Sequence, residues 1–235
     1  PVLAVVGEES SLVAYNLAGL LARAGKEQGR RVLFADAEGR ITRTVFEPLG
    51  QPAPDDLLVA PEEPHVVPYL QHDAYSDLCV IGSPDDTRLP AMGLIGRLRT
   101  IFDCIVVACG DSMYADDWLR TAGGVASTGA GWGAALAAAR IAEDERGANG
   151  TILASLGPAG DPAHPAERRP LFELPPGDAQ PYEATRTEGS FATLSDRETG
   201  NAFKPLLQEL LRRARDGARK TTLASGIEKT PKEEG

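Results

Sequence analysis

Near the start of the chain, Gly7-Glu8-Glu9-Ser10-Ser11 stands where an apolar run of strand type, Val2 to Val6, passes into a helical pattern of Leu12, Val13, Leu17, Leu20 and Leu21. A strand, a glycine turn and a helix in that order form the setting of a phosphate cradle. In such a cradle the pattern G-x-x-x-x-G-K-[ST] wraps backbone N–H groups around phosphates, its lysine meets the β/γ oxygens and its hydroxyl holds Mg²⁺. Here the second glycine position is Glu9, the lysine position is Ser10, and no lysine occurs in residues 1–25. Two carboxylates therefore face the place where a triphosphate would bring its own negative charge, a repulsion on the order of kcal/mol in a partly dry site. The residues predict the architecture of a phosphate-binding fold and argue against ordinary ATP binding. Glu8 and Glu9 also suit a solvated first turn, where the helix dipole favours acids.

Two further carboxylates fall at strand ends. Asp36 closes the apolar run Arg31-Val-Leu-Phe-Ala-Asp36, with Arg40 four residues on, and Asp111 follows the run Asp103-Cys-Ile-Val-Val-Ala-Cys109. A carboxylate in that position either serves a site or caps the next loop. The histidines His65, His72 and His164 have no partners at ligand spacing, and Cys79, Cys104 and Cys109 lie in apolar runs without metal spacing. Both patterns argue against zinc, and the cysteines read as buried, reduced thiols.

The elements that position these residues follow from hydrophobic periodicity. Val2 to Val6 and residues 31–36 enclose a helix that ends at Gly25, which gives a βαβ unit and a parallel pair. Residues 50–64, rich in Pro, Asp and Glu, read as a loop. A strand at 77–82, a helix at 92–101, a strand at 103–109, then helix, strand, helix and strand at 115–122, 124–127, 132–145 and 151–156 continue the alternation. That pattern is an α/β doubly wound, mainly parallel sheet flanked by helices. Proline then becomes frequent from Gly157 to Pro181, with Phe172 to Leu174 as an edge strand. The last helix, Asn201 to Arg219, carries Phe203, Leu206, Leu207, Leu210 and Leu211 on one side and Lys204, Arg212, Arg213, Arg215 and Arg219 around the other. Its apolar stripe suits core packing, and its basic end suits a membrane surface. Trp118 and Trp132 are expected to pack helices onto the sheet.

With 235 residues and 42% hydrophobic content the chain can bury a large core, so it reads as one domain, residues 1–219, with a flexible polar tail at 220–235. No run approaches the roughly 20 apolar residues of a membrane-spanning helix. The expectation is a cytoplasmic protein. A net charge of −10 opposes nonspecific contact with nucleic acid, which depends on neutralising phosphates.

Taken together, these stretches resemble the deviant-Walker P-loop NTPases, and within them the cytoplasmic kinase domain of bacterial tyrosine kinases that serve exopolysaccharide export. The similarity covers roughly residues 2–160. The family run V-I-A-V-T-S-x-x-P-G-E-G-K-S-T-V-A-A-N-L-A is matched by Val2-Leu-Ala-Val-Val, a loop about four residues shorter, and Ser11-Leu-Val-Ala-Tyr-Asn-Leu-Ala18. The motif V-D-A-D-L-R is matched by Phe34-Ala-Asp-Ala-Glu-Gly-Arg40, which places Asp36 at the family's catalytic aspartate and Arg40 close to its arginine. In F-D-x-V-I-I-D, matched by Phe102-Asp-Cys-Ile-Val-Val-Ala108, the Mg²⁺-directing aspartate falls at Ala108, with Asp111 three residues beyond. The family's C-terminal tyrosine cluster has no counterpart, since the five tyrosines are Tyr15, Tyr69, Tyr75, Tyr114 and Tyr182.

The resemblance with these losses implies a pseudokinase with a vestigial nucleotide site at Gly7, Glu8, Glu9, Ser10, Ser11, Asp36, Arg40, Ala108 and Asp111, and with no ATP cofactor. It implies a non-catalytic regulator or scaffold of exopolysaccharide or holdfast-type synthesis. The partner would be a polysaccharide co-polymerase or other export protein at the inner membrane, or a second copy of the chain. The alternatives are a membrane-associated spatial regulator similar to the division-site and partition ATPases, and an atypical nucleotide-binding enzyme.

Overall fold

The computed structural model describes residues 1–37, 39–45, 71–73, 76–82, 94–110, 116–147, 150–159 and 169–227. Strands β1 (Val2–Gly7), β2 (Val32–Asp36), β3 (Gln71–Asp73), β4 (Leu78–Gly82), β5 (Cys104–Gly110), β6 (Gly124–Gly129), β7 (Ile152–Leu156) and β8 (Leu171–Leu174) form one sheet in the order β3-β4-β2-β5-β1-β6-β7-β8. All pairings are parallel except β3 with β4. The helices are α1 (Ser10–Lys26), α2 (Arg40–Val45), α3 (Leu94–Ile101), α4 (Asp116–Thr121), α5 (Trp132–Arg146), α6 (Gln180–Glu188), α7 (Ala192–Ser195) and α8 (Arg197–Ile227).

A parallel sheet covered on both sides needs apolar residues at every position of its central strands, and side chains alternate between the two layers. Leu3, Val5, Phe34, Val106 and Ala108 face the layer built by α1 and by α6 to α8, while Ala4, Val6, Leu33, Ala35, Ile105 and Val107 face α3 and α4. Trp118 lies in the second layer, and Trp132 packs against a smaller cluster of Ala135, Leu136, Ala139 and Leu153. The doubly wound, mainly parallel architecture expected above is the one found, with the edge strand at 171–174.

Several elements differ from the reading of periodicity. Helices α2, α6 and α7 and the edge strand β3 carry no such signal: α2, α7 and β3 are six residues or fewer, and α6 is mostly polar, with Tyr182 as its large apolar residue. The last helix runs Arg197–Ile227 rather than 201–219. Its earlier start is explained by Asp196, whose carboxylate accepts the Thr199 N–H at 2.7 Å and caps the first turn. Phe203, Leu206 and Leu210 are fully buried in the main core, which assigns this stripe to packing. All three cysteines are free, as expected, but Cys79 is only half-buried; burial pushes the Cys104 thiol up to about 11. Among the described residues no helix is long and apolar enough to cross a membrane.

A charged anchor holds the end of α5 to the start of β7. Glu143, nearly buried, accepts the N–H groups of Gly150 and Thr151 and the Arg169 guanidinium, each at 2.8 Å. Burial pushes its carboxyl up, but these donors outweigh that and hold it below the usual carboxylate range.

Two predictions follow from this packing. Leu210→Ala should cost about 2–5 kcal/mol in urea denaturation, whereas the exposed Gln208→Ala stays within about 0.5 kcal/mol. Because the folded form of Glu143 binds its proton less readily than the unfolded chain, its contribution is present above the unfolded value of about 4.3 and is lost as pH falls through the folded one. Glu143→Gln should therefore be less stable than the parent at pH 7, with the gap narrowing in acid denaturation curves below about pH 4.3.

Candidate functional site

The candidate residues converge at the C-terminal ends of β1, β2 and β5, the crevice where ligands bind in open α/β sheets. Gly7 has φ of 92°, and a Cβ there would collide with the Thr128 carbonyl and Ala138. Only glycine allows this loop to leave the sheet so close to β6. The Thr128 hydroxyl is shared between the carbonyls of Val6 and Glu8, and the Glu8 carboxylate accepts the Ala130 N–H at 3.0 Å. The first part of the loop is thus fastened to the end of β6.

Glu9 is the N-cap of α1 and lies in the left-handed region, with φ 55° and ψ 24°. That conformation costs a non-glycine residue roughly 1–2 kcal/mol, and a glycine in this place would adopt it freely. Its carboxylate is held by Arg186 of α6 at 3.0 Å, and the same guanidinium donates to the Gly177 carbonyl at 2.6 Å. The pair is about one-third exposed on each side, 31% for Arg186 and 38% for Glu9, so solvent screens it.

Ser10, in the lysine position of a phosphate cradle, is buried and its Oγ accepts the Gly110 N–H at 3.0 Å. Ser11 donates its hydroxyl to Asp36 Oδ1 at 3.0 Å. Asp36 is fully buried, and its Oδ2 accepts the N–H groups of Ile41 (2.9 Å) and Thr42 (3.0 Å) and the Thr42 hydroxyl (3.3 Å). The aspartate therefore ties the start of α1 to the start of α2. Ala108, paired in register with Asp36, turns its methyl group into the core cluster beneath α1. Arg40 is exposed at the first residue of α2, and Asp111 lies outside the described residues. Among the described residues no group of three or more His, Cys, Asp or Glu is arranged to hold a metal ion.

A clasp beyond the reach of sequence periodicity completes the site. The Tyr15 hydroxyl donates to the Gly189 carbonyl at 2.7 Å, and its ring stacks on Phe191 at 4.5 Å. The Asn16 side chain accepts the Thr193 N–H at 3.1 Å, and the Thr193 hydroxyl donates to the Asn16 carbonyl at the same distance. Gly19 leaves room for the Phe191 ring, which a Cβ would strike. Residues 186–193, which complete the surroundings of the loop, come from a segment that carries no phosphate-loop signal.

The sheet order and the strand–turn–helix geometry are those of an α/β, P-loop NTPase-like fold. Three solved structures share it: McdA from Cyanthece in its apo form (TM-score 0.62, 16% identity, 89% of this chain and 98% of that one), MinD with MinC from Aquifex aeolicus (0.62, 14%, 89% and 95%), and MinD from Aquifex aeolicus (0.56, 14%, 92% and 95%). No protein-family model matches the chain, and neither does any curated protein sequence. The tyrosine-kinase assignment draws no support from these neighbours, which share the fold that the resemblance implied.

Removing the central acceptor should unlock both helices. Asp36→Ala leaves two buried N–H groups and two hydroxyls without their acceptor and should cost about 3 kcal/mol or more, against about 1 kcal/mol for Ser11→Ala. Urea midpoints for the two variants check this order.

Proposed function

We propose that the chain is a non-catalytic regulator that works through protein contacts, a spatial regulator of the MinD and McdA kind that has lost its nucleotide chemistry. The observation that carries this reading is the internal saturation of the phosphate site. The Ser10 and Ser11 hydroxyls are engaged by Gly110 and Asp36, the Asp36 carboxylate is met by donors on both oxygens, and Glu9 and Arg186 neutralise each other at the loop. No lysine is present to meet the β/γ oxygens, and a methyl group stands at Ala108 where the metal-directing carboxylate belongs. These residues do not fit Mg²⁺–ATP, so no step is assigned to it.

One relative, MinD of Aquifex aeolicus, forms a complex with MinC, itself a protein. By analogy, the exposed Glu8 and Arg40 beside the closed site belong to the surface that meets a protein partner or a second copy of the chain. Leu206 and Leu210 are buried, so a membrane contact through that stripe is not part of the proposal. The exopolysaccharide setting rests on the kinase resemblance alone and is set aside in favour of the spatial reading.

Calorimetric titration with ATP or ADP and Mg²⁺ should show binding no tighter than about 1 mM, and Ser10→Lys should not restore it. Micromolar affinity overturns the closed-site reading. In cells that make the protein, a fluorescent fusion should concentrate at discrete positions, and a Glu8→Lys, Arg40→Glu double variant of unchanged thermal midpoint should spread evenly. An evenly spread parent fusion overturns the spatial role.

A further inference from the structure

The opposite end of the sheet, where the strands begin, carries a groove that the site above does not use. Its volume is about 960 Å³, and among the described residues its charged lining is Arg30, Arg99, Arg120, Arg146 and Arg215 against one acid, Asp103. The Asp103 carboxylate already accepts the Arg31 N–H at 2.8 Å. Five arginines thus gather in one groove of a chain whose net charge is −10.

Part of this gathering has a plain cause. Helices α3, α4 and α5 end here, and cations in a last turn complement the helix dipole, which accounts for Arg99, Arg120 and Arg146. It does not account for Arg30, in the turn beyond α1, or for Arg215, well inside α8. Among the described residues, no side-chain hydrogen bond or ion pair engages Arg30, Arg99 or Arg215, all of them exposed. Arg146 is half-buried, with one Nη on the Ala122 carbonyl at 3.3 Å and its Nε buried without a partner. Among the described residues, then, Arg30, Arg99 and Arg215 bring positive charge to the groove without a side-chain partner, and an incoming anion would relieve their repulsion.

The rest of the lining decides which anion. Val2, Leu21, Val32, Leu211 and Ala214 give the groove an apolar floor between the arginines. A free phosphate or a nucleic-acid backbone would leave that floor unmatched, and the overall charge of the chain repels a long polyanion. Carboxylates spaced by aliphatic side chains match both features, since guanidinium groups pair with carboxylates in a fork and apolar patches rimmed by charge suit protein contacts. We infer that this groove docks an acidic amphipathic segment of a partner protein. Arg30, Arg99 and Arg215 take its carboxylates, and the floor takes its aliphatic side chains. This surface lies at the far end of the sheet from Glu8 and Arg40, and the inference stands independently of the proposed function.

The test is fluorescence anisotropy on the full chain with a short labelled peptide of alternating glutamate and leucine. The peptide should bind, more weakly as salt rises, while peptides of lysine with leucine, or of glutamate with serine, should bind poorly. Arg99→Glu with Arg215→Glu should weaken binding about tenfold or more, as loss of close charge pairs does, with the thermal midpoint lowered by no more than about a few degrees. Arg99→Lys with Arg215→Lys should retain most of the affinity. The inference is overturned if the peptide does not bind the parent chain, or if it binds the charge-reversed variant equally well. It is also overturned if duplex DNA or phosphatidylglycerol vesicles bind more tightly than the peptide and lose that binding in the variant.

Discussion

The buried carboxylate of Asp36 is the constraint on which the rest of the site depends. A carboxylate with no solvent exposure is tolerated only where donors meet its oxygens, and here Ser11, Ile41 and Thr42 supply them from two helices. Its backbone is fixed by pairing with Gly82 on one side and Ala108 on the other. The start of α1, the end of β2 and the start of α2 therefore move as one body. Where a working phosphate cradle keeps hydroxyl, carboxylate and loop amides free for ligand and metal, this chain turns the hydroxyls and the carboxylate inward.

Much of that arrangement could be read from the sequence, and the limits have physical reasons. A central parallel strand must be apolar on both faces, so β1, β2 and β5 stand out as continuous runs, and the loop sequence Gly7-Glu8-Glu9-Ser10 exposes the missing lysine directly. Glu9 adopts the left-handed backbone shape that a glycine takes freely. The contacts that close the site are another matter. Arg186, Gly189, Phe191 and Thr193 act on residues more than 170 positions earlier in the chain, and no apolar period marks their helices, because α6 is mostly polar and α7 is a single turn. The start of α8 lies between these cases, because Asp196 three residues before Thr199 is a cap signature legible in the sequence although hydrophobic spacing begins later.

The likeness to McdA and MinD is one of fold. About nine-tenths of the chain superposes on these proteins at 14–16% identity, which is a statement about the sheet and its helices and not about the site. The two ends of the sheet have diverged in character. At the strand C-termini the polar groups are paired within the fold, whereas at the strand N-termini arginines stand exposed around an apolar floor.

Whether the polar cluster at the ends of β1, β2 and β5 is a permanent clamp is tested most directly by amide hydrogen exchange at Ile41, Thr42 and Gly110, the N–H groups that Asp36 and Ser10 hold. If the clamp is permanent, these amides exchange only through opening close to global unfolding, and saturating Mg²⁺–ATP leaves their rates unchanged. Rapid exchange in the free protein that slows when Mg²⁺–ATP is added would contradict the account, because it would show a site that opens for, and closes on, a nucleotide.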